Sequence, residues 1–125
     1  MKKRVLLVED NLETIEVVRQ ELEVLGYEVL LAEDGVAAVE VATSQLPDLI
    51  VMDIRMPKMD GLQAASQIRK DPKTQSIPIL AATAKALPGD REKCLASGCD
   101  DYLAKPFTHN ELGAAIEKLL KRGSE

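Results

Sequence analysis

The chain has 125 residues, the size of one domain, and 46% of them are hydrophobic, which is enough to form a buried core. Its net charge of −5 excludes the basic surface of a nucleic-acid binder, and no apolar run reaches the roughly 18 residues of a membrane helix. No signal-peptide pattern is present, so we expect a cytoplasmic protein in which Cys94 and Cys99 are reduced thiols.

The first half of the chain alternates short apolar runs with segments of helical periodicity. A strand is predicted at 4–8, followed by a helix with one apolar face. That face comprises Leu12, Ile15, Val18, Leu22 and Leu25. Asn11 is placed to cap this helix and Gly26 to end it. A second strand is predicted at 28–32, a second helix in "GVAAVEVATSQL", and a third strand in "LIVMD" at 49–53.

The second half continues the alternation. A helix is predicted at 61–70, and "IPILAAT" at 77–83 is the fourth strand. The next helix is predicted at 88–97, because Pro88 suits a first turn and Gly98 suits a helix end. "DYLAK" at 101–105 is the fifth strand. The last helix begins at Thr108, where Glu111 completes a capping box.

Five strands alternating with five helices predict an α/β fold with a doubly wound parallel sheet and helices on both faces. The expected strand order is the flavodoxin-like 2-1-3-4-5. One domain should fill residues 1–125, with its core at about 3–121. We therefore expect no output domain, and Met1 directly before the first strand favours a free-standing protein over a piece of a larger one.

Polar side chains follow the predicted strands at their carboxyl ends. Ligands of open α/β sheets bind beyond these ends, where the strand order reverses. The residues in question are Glu9, Asp10, Asp53, Thr83 and Lys105. Each of them alone is most often a turn, capping, packing or solvated residue. Their convergence at one edge of one sheet favours a functional site.

Three of these residues are carboxylates that would share one crevice. Glu9, Asp10 and Asp53 would repel one another at close range, which suggests that a hard divalent cation lies between them. Mg2+ fits such ligands and phosphate oxygens, and Mn2+ is an alternative. With Lys105 as a second positive charge, the arrangement suits phosphoryl transfer to a carboxylate.

A hydroxyl completes the arrangement. Thr83 could donate a hydrogen bond to a phosphoryl oxygen, and Ala84 after it is small enough to leave the approach open.

Four motifs closely resemble the receiver domains of two-component response regulators, such as chemotaxis regulators. They are "VLLVEDN", "DLIVMDIRMPKMDG", "IPILAATA" and "GCDDYLAKPF", and together they span nearly the whole chain in the order of that family. The resemblance implies a domain that takes a phosphoryl group from a phosphohistidine onto its own aspartate. The expected donor is a sensor histidine kinase or a histidine phosphotransfer protein.

The resemblance also assigns roles at the expected site. It makes Asp53 the phosphoacceptor and places Mg2+ on Asp10, Asp53 and the backbone carbonyl of Arg55, with help from Glu9. Lys105 would contact the phosphoryl group.

Further roles concern the residues around this centre. The Lys105–Pro106 peptide bond is expected to be cis, and Thr83 and Tyr102 are the expected switch residues. Arg55, Ala84 and Lys85 occupy positions that modulate the loss of the phosphoryl group in the family.

Output is expected through the surface of the fourth helix, fifth strand and fifth helix, toward an unidentified protein and without direct contact to nucleic acid or membrane. We therefore interpret the chain as a single-domain switch and not as an enzyme acting on external substrates.

Three alternatives remain. One is the receiver fragment of a hybrid histidine kinase. Another is a Mg2+-dependent aspartyl phosphatase, although Arg55 stands where those enzymes carry a second acid. The last is a nucleotide or flavin module, although the turn "VEDNLET" has no glycine to admit a phosphate.

Overall fold

The central sheet has five parallel strands among the residues that the computed structural model describes, which are 2–56, 59–83 and 87–124. The strands are β1 (Arg4–Val8), β2 (Glu28–Ala32), β3 (Leu49–Asp53), β4 (Ile79–Thr83) and β5 (Asp101–Ala104). Their order is β2-β1-β3-β4-β5, which confirms the predicted topology.

In the described part of the chain, four helices connect these strands across the two faces of the sheet, and a fifth helix follows the last strand. They are α1 (Leu12–Val24), α2 (Gly35–Gln45), α3 (Gly61–Lys70), α4 (Asp90–Ser97) and α5 (His109–Ser124). No helix among the described residues is both long and apolar enough to cross a membrane.

The core consists of two clusters, one on each face of the sheet. On one face, buried alanines of α2 and α3, such as Ala38 and Ala64, let these helices lie close to the strands. On the other face, Leu22 of α1 and Ile116 of α5 pack with no solvent exposure. The β1, β3 and β4 strands are buried on both faces, which explains their continuous apolar sequences.

Helix caps lie where the sequence places them in several cases. The side chain of Asn11 accepts the Thr14 N–H at 3.0 Å at the start of α1. Thr108 and Glu111 form the predicted capping box, since each side chain accepts the other's backbone N–H. These local contacts fix the helix starts without help from the rest of the fold.

Two predicted element starts and one predicted core residue are wrong, and β5 and α2 each end one residue earlier than predicted, at Ala104 and Gln45. The β4 strand begins at Ile79 and not at residue 77, because Pro78 has no N–H for the sheet. The α4 helix begins at Asp90, because Gly89 has a left-handed conformation with φ 86°. Leu12, the first residue of α1, is 71% exposed, although its helical periodicity placed it on the apolar face.

Candidate functional site

The strand register brings the predicted polar residues to one edge of the sheet. Val8 pairs with Met52 and Asp53 pairs with Ala82, so the residues that end β1, β3 and β4 stand side by side. They border an open cleft of about 270 Å³. Its lining residues are Glu9, Asp10, Asn11, Thr14, Asp53, Arg55, Thr83 and Lys105.

The floor of the cleft is a cluster of three carboxylates. Oxygens of Glu9, Asp10 and Asp53 all lie within 4.8 Å of one another. Glu9 is buried, Asp10 is exposed and Asp53 is half-buried. The cluster is therefore closed by the protein on one side and open to solvent on the other. A cation that keeps part of its water shell needs such a site.

Gly61 explains how the chain passes so close to Asp53. A Cβ atom on Gly61 would lie 2.5 Å from the Asp53 carbonyl oxygen, a distance that no side chain tolerates. The Gly61 N–H donates to the Ile54 carbonyl at 3.1 Å. The loop after β3 thus folds back tightly and starts α3 directly beside the cleft.

Burial raises the pKa of the Asp53 carboxyl from an ordinary 3.8 to about 6. Within this net value, the charge of Glu9 raises the pKa, whereas the Arg55 N–H and the Lys105 charge lower it. Repulsion between the Glu9 and Asp53 carboxylates thus contributes to the raised pKa of Asp53. A divalent cation would remove it, and the donors described here are oxygens alone, the ligands that hard cations prefer.

Lys105 reaches the cleft from the end of β5 and pairs with Glu9. Its Nζ lies 2.6 Å from Glu9 Oε1, and both side chains are largely buried. Its backbone N–H donates to the Thr83 carbonyl at 2.8 Å, and the Lys105–Pro106 peptide bond is cis. The ammonium group is thus beside the carboxylate cluster, but its direct partner is Glu9 and not Asp53.

The backbone of Arg55 contacts Asp53, whereas its side chain extends to Asp90 in α4. Its N–H donates to Asp53 Oδ1 at 3.2 Å. Its guanidinium lies 2.6 Å from Asp90 Oδ2 in the first turn of α4. Sequence reasoning missed Asp90, because an aspartate in a first helical turn is normally explained by the helix dipole.

Thr83 and Tyr102, the two predicted switch residues, lie on the neighbouring strands β4 and β5. Thr83 is 1% exposed and lines the cleft. The Tyr102 ring packs against the core, and its buried hydroxyl has no hydrogen-bond partner among the described residues. Burial, followed by the Asp90 charge, raises the pKa of Tyr102. Ala84 and Lys85, also predicted at this site, lie outside the described residues.

The two cysteines are free thiols in the core, as predicted. Burial raises the pKa of Cys94, and it raises that of Cys99 to about 12. Since the thiolate is the reactive form of cysteine, these thiols are poor nucleophiles at neutral pH. They belong to the packing of α4 and not to the cleft.

The sequence matches the family model of the response regulator receiver domain over residues 5–117. Among curated proteins, the response regulator MprA of Mycobacterium ulcerans is 42% identical over 122 residues, which cover 98% of this chain and 52% of that protein. The alkaline phosphatase synthesis transcriptional regulatory protein PhoP of Bacillus subtilis is 38% identical, with 98% and 50% coverage. The chain thus spans about half the length of these relatives.

Solved structures show the same architecture. The receiver domain of a sensor histidine kinase from Pseudomonas aeruginosa, with a magnesium ion coordinated in its active site cleft, has a TM-score of 0.91 and 44% identity. The alignment covers 97% of this chain and 99% of that domain. The chemotaxis response regulator CheY4 of Vibrio cholerae has a TM-score of 0.87 and 29% identity, with 95% and 99% coverage.

Proposed function

We propose, from the premise that this chain belongs to the response regulator receiver domain family, that it is a switch operated by phosphorylation of Asp53. The observation that carries the proposal is the cluster of Glu9, Asp10 and Asp53 oxygens within 4.8 Å, with the Lys105 ammonium on Glu9. Among the described residues, this is the one cluster of three or more acidic, histidine or cysteine side chains that could hold a metal ion.

A Mg2+ ion, with Mn2+ as an alternative, fits the donors present. Glu9, Asp10 and Asp53 would hold it, and the carbonyl of Arg55 is the proposed backbone ligand. A bound Mg2+ would neutralise negative charge on the carboxylates and on the incoming phosphoryl group. The magnesium ion in the related Pseudomonas aeruginosa receiver domain supports this choice.

The proposed reaction is an in-line displacement at phosphorus. An Asp53 carboxylate oxygen forms the new P–O bond while the P–N bond of a phosphohistidine breaks, and the electron pair of that bond returns to the imidazole nitrogen. Asp53 must be ionised to attack, and a pKa of about 6 leaves most of it ionised at neutral pH. Lys105 and the Thr83 hydroxyl are the proposed donors to the phosphoryl oxygens.

We propose that the residues flanking the approach of water control how long the acyl phosphate on Asp53 survives. Arg55 lines the cleft, and Ala84 and Lys85 directly follow β4. Two long basic side chains near an acyl phosphate would hinder an approaching water molecule. We therefore expect phospho-Asp53 to be lost slowly.

The proposed donor is a sensor histidine kinase or a histidine phosphotransfer protein, because the family takes its phosphoryl group from phosphohistidine. The proposed output surface comprises α4, β5 and α5, with Tyr102 as the switch aromatic. Leu87, before α4, is 57% exposed, and Leu95, within α4, is 42% exposed, which suits contact with a protein partner. A cytoplasmic location without direct nucleic-acid or membrane contact is part of the same proposal.

A single receiver domain over residues 1–125 remains our proposal for the organisation of this chain. One observation favours a second candidate, the receiver of a hybrid histidine kinase. The Pseudomonas aeruginosa domain at 44% identity comes from a sensor kinase, whereas the curated relatives are regulators of about twice this length. The phosphorylation chemistry of Asp53 is the same in either setting.

The phosphatase alternative finds no support in the geometry. Arg55 stands where a second acid would protonate the leaving group, and its guanidinium is paired with Asp90. We propose that the chain promotes only its own phosphorylation and dephosphorylation. Catalytic turnover of a chromogenic phosphate ester would contradict this.

Intact-mass measurement after incubation with acetyl phosphate and Mg2+ tests the proposal. We expect one phosphoryl adduct per wild-type chain, and none with Asp53→Ala or when EDTA removes the metal. Asp60→Ala, a change at the cap of α3 outside the carboxylate cluster, is the matched control and should still be labelled. An adduct that persists in Asp53→Ala would overturn the assignment of the phosphoacceptor.

A further inference from the structure

The ion pair between Arg55 and Asp90 connects the carboxylate cleft to α4. Arg55 follows β3 and Asp90 is the first residue of α4, 35 positions later in the chain. Their side chains lie 2.6 Å apart, with the Asp90 side chain 5% exposed and that of Arg55 39% exposed. A nearly buried carboxylate thus depends on a guanidinium that can still move into solvent.

Asp90 also holds the first turn of α4 in place. Its Oδ2 accepts the Leu87 N–H at 2.8 Å, and that hydrogen bond lowers the pKa of the Asp90 carboxyl, as does Arg55. The N-cap residue Gly89 provides no side chain, and among the described residues none caps the helix in its place. Asp90 is therefore the main polar support of this helix end, and Arg55 balances its charge.

The backbone of Arg55 also contacts the phosphoacceptor. Its N–H donates to Asp53 Oδ1 at 3.2 Å, and the residue lines the same cleft as Asp53 and Lys105. A phosphoryl group on Asp53 would bring about −1.5 to −2 charges, against the single charge of Asp90. Guanidinium groups also bind phosphate oxygens in a two-bond geometry. The phosphorylated cleft is thus a strong competitor for the Arg55 side chain.

The opposite end of α4 is anchored independently of the cleft. The Arg69 guanidinium donates to the carbonyls of Gly98 at 2.8 Å and Ile77 at 2.7 Å, and it pairs with Asp100. Gly98, with φ 111°, ends the helix directly on Arg69, where a Cβ would lie 2.6 Å from its Cγ. Loss of the Arg55 contact would therefore free one end of α4 while the other end stays fixed.

We propose that Arg55 is a latch that exchanges partners, pairing with Asp90 before phosphorylation and with the phosphoryl group on Asp53 afterwards, so that the first turn of α4 is released. The inference rests on the proposed phosphorylation of Asp53. It adds a defined route from the cleft to α4, in which one guanidinium changes its partner from Asp90 to the phosphoryl group.

Hydrogen exchange of the α4 amides, read by mass spectrometry over residues 87–94, tests the latch. Beryllium fluoride with Mg2+ serves as the probe for the phosphoryl group. In wild type we expect exchange to accelerate about fivefold or more when the probe is added. Asp90→Asn keeps an acceptor for Leu87 but loses the charge, so its α4 should exchange rapidly without the probe and respond little to it.

Asp100→Asn is the matched control, because it weakens the ion pair at the other end of α4. This variant should keep the full wild-type response over residues 87–94. A full response in Asp90→Asn, or an equal loss of response in Asp100→Asn, would overturn the latch.

A double-mutant cycle separates charge exchange from simple loosening of the helix. Removing Asp90 frees Arg55 for the phosphoryl group, so Asp90→Asn should retain the acyl phosphate about fivefold longer than wild type. In an Arg55→Ala background the same change should have no effect on the lifetime. An equal effect in both backgrounds would exclude exchange of Arg55.

Intact-mass measurement after incubation with acetyl phosphate distinguishes failure of the proposed phosphorylation from failure of the latch alone. Wild type without an adduct would remove the proposed function and the latch together. Adducts in all variants, with α4 exchange unchanged by the probe in wild type, would remove the latch alone.

Discussion

The Lys105 ammonium pairs with Glu9, at 2.6 Å, across 96 positions of the chain. The pair places a positive charge inside a cluster that otherwise contains three carboxylates. Glu9 is 3% exposed, so its charge depends on this partner or on a bound cation. The metal-free cleft is thus held together by a lysine that the proposed chemistry also uses.

Replacing this lysine should destabilise the metal-free protein more than the metal-bound one. Lys105→Met leaves Glu9 buried without its cation, and we expect the free energy of unfolding to fall by about 2 kcal/mol. Because Mg2+ can take over part of this charge compensation, the loss should shrink when Mg2+ is added. Urea unfolding at neutral pH with EDTA or with Mg2+ measures both quantities.

Lys121→Met, at an exposed lysine of α5, is the control and should change stability little in either condition. A Lys105→Met loss that is identical with and without Mg2+ would contradict a cation site beside Glu9.

Asp53 should make the metal-free protein less stable at higher pH. Its folded pKa of about 6 exceeds the ordinary 3.8, so the folded state binds a proton more tightly than the unfolded state. Its contribution to stability is therefore fully present below about 3.8 and is lost as the pH rises through 6. Asp53→Asn, which has no charge to lose, should be more stable than wild type at pH 8.

Allowing for the partial solvent exposure of Asp53, we expect this advantage to be of order 1 kcal/mol. The difference should disappear as the pH falls toward 4. Urea unfolding of both proteins in EDTA at several pH values measures it, and a difference that does not vary with pH would rule out the raised pKa.

Mg2+ should stabilise the folded chain, and acid should weaken its binding. The metal needs an ionised Asp53, so below pH 6 the apparent affinity should fall by up to about tenfold per pH unit. A rise in Tm with Mg2+ concentration, followed at pH 7.5 and 5.5, gives both affinities. Asp10→Asn should abolish most of the Mg2+-dependent rise, whereas Glu33→Gln, an exposed carboxylate outside the cleft, should preserve it.

Arg55 and Lys85 should protect the acyl phosphate. Arg55→Ala or Lys85→Ala should lose the phosphoryl group faster than wild type, by about tenfold or less, because water then reaches phosphorus more easily. Decay of the phosphorylated mass after removal of acetyl phosphate measures the rate. Arg91→Ala changes an exposed arginine of α4 outside the cleft and should decay like wild type. Unchanged decay in both Arg55→Ala and Lys85→Ala would contradict the shielding role.

Arg69 should matter for stability and not for chemistry. Its guanidinium donates to three carbonyls and pairs with Asp100, so Arg69→Ala leaves partly buried acceptors unsatisfied. We expect a loss of about 3 kcal/mol. Arg19→Ala, at a surface pair with Glu16, should lose less than about 0.5 kcal/mol. The folded fraction of Arg69→Ala should still accept one phosphoryl group, as intact mass would show.

The sequence by itself determined the fold and the five charged residues that line the cleft. The continuous apolar run at 49–53 marked a strand buried on both faces, and Asn11 and Thr108 marked helix starts. Because the carboxyl ends of parallel strands share one edge, the strand ends alone brought Asp53 and Lys105 to one place. These features depend on spacings of a few residues and on a crossover rule, both of which a single sequence carries.

The tertiary structure alone decided which charges meet and which apolar residues are covered. Lys105 pairs with Glu9 and Arg55 with Asp90, over separations of 96 and 35 residues. Several acids lie within reach of each cation, and the choice depends on distances that only the packed helices define. Leu12 has the periodicity of a core residue but is largely exposed. Local pattern specifies what a segment can form, whereas burial and ion pairing depend on what the folded chain places beside it.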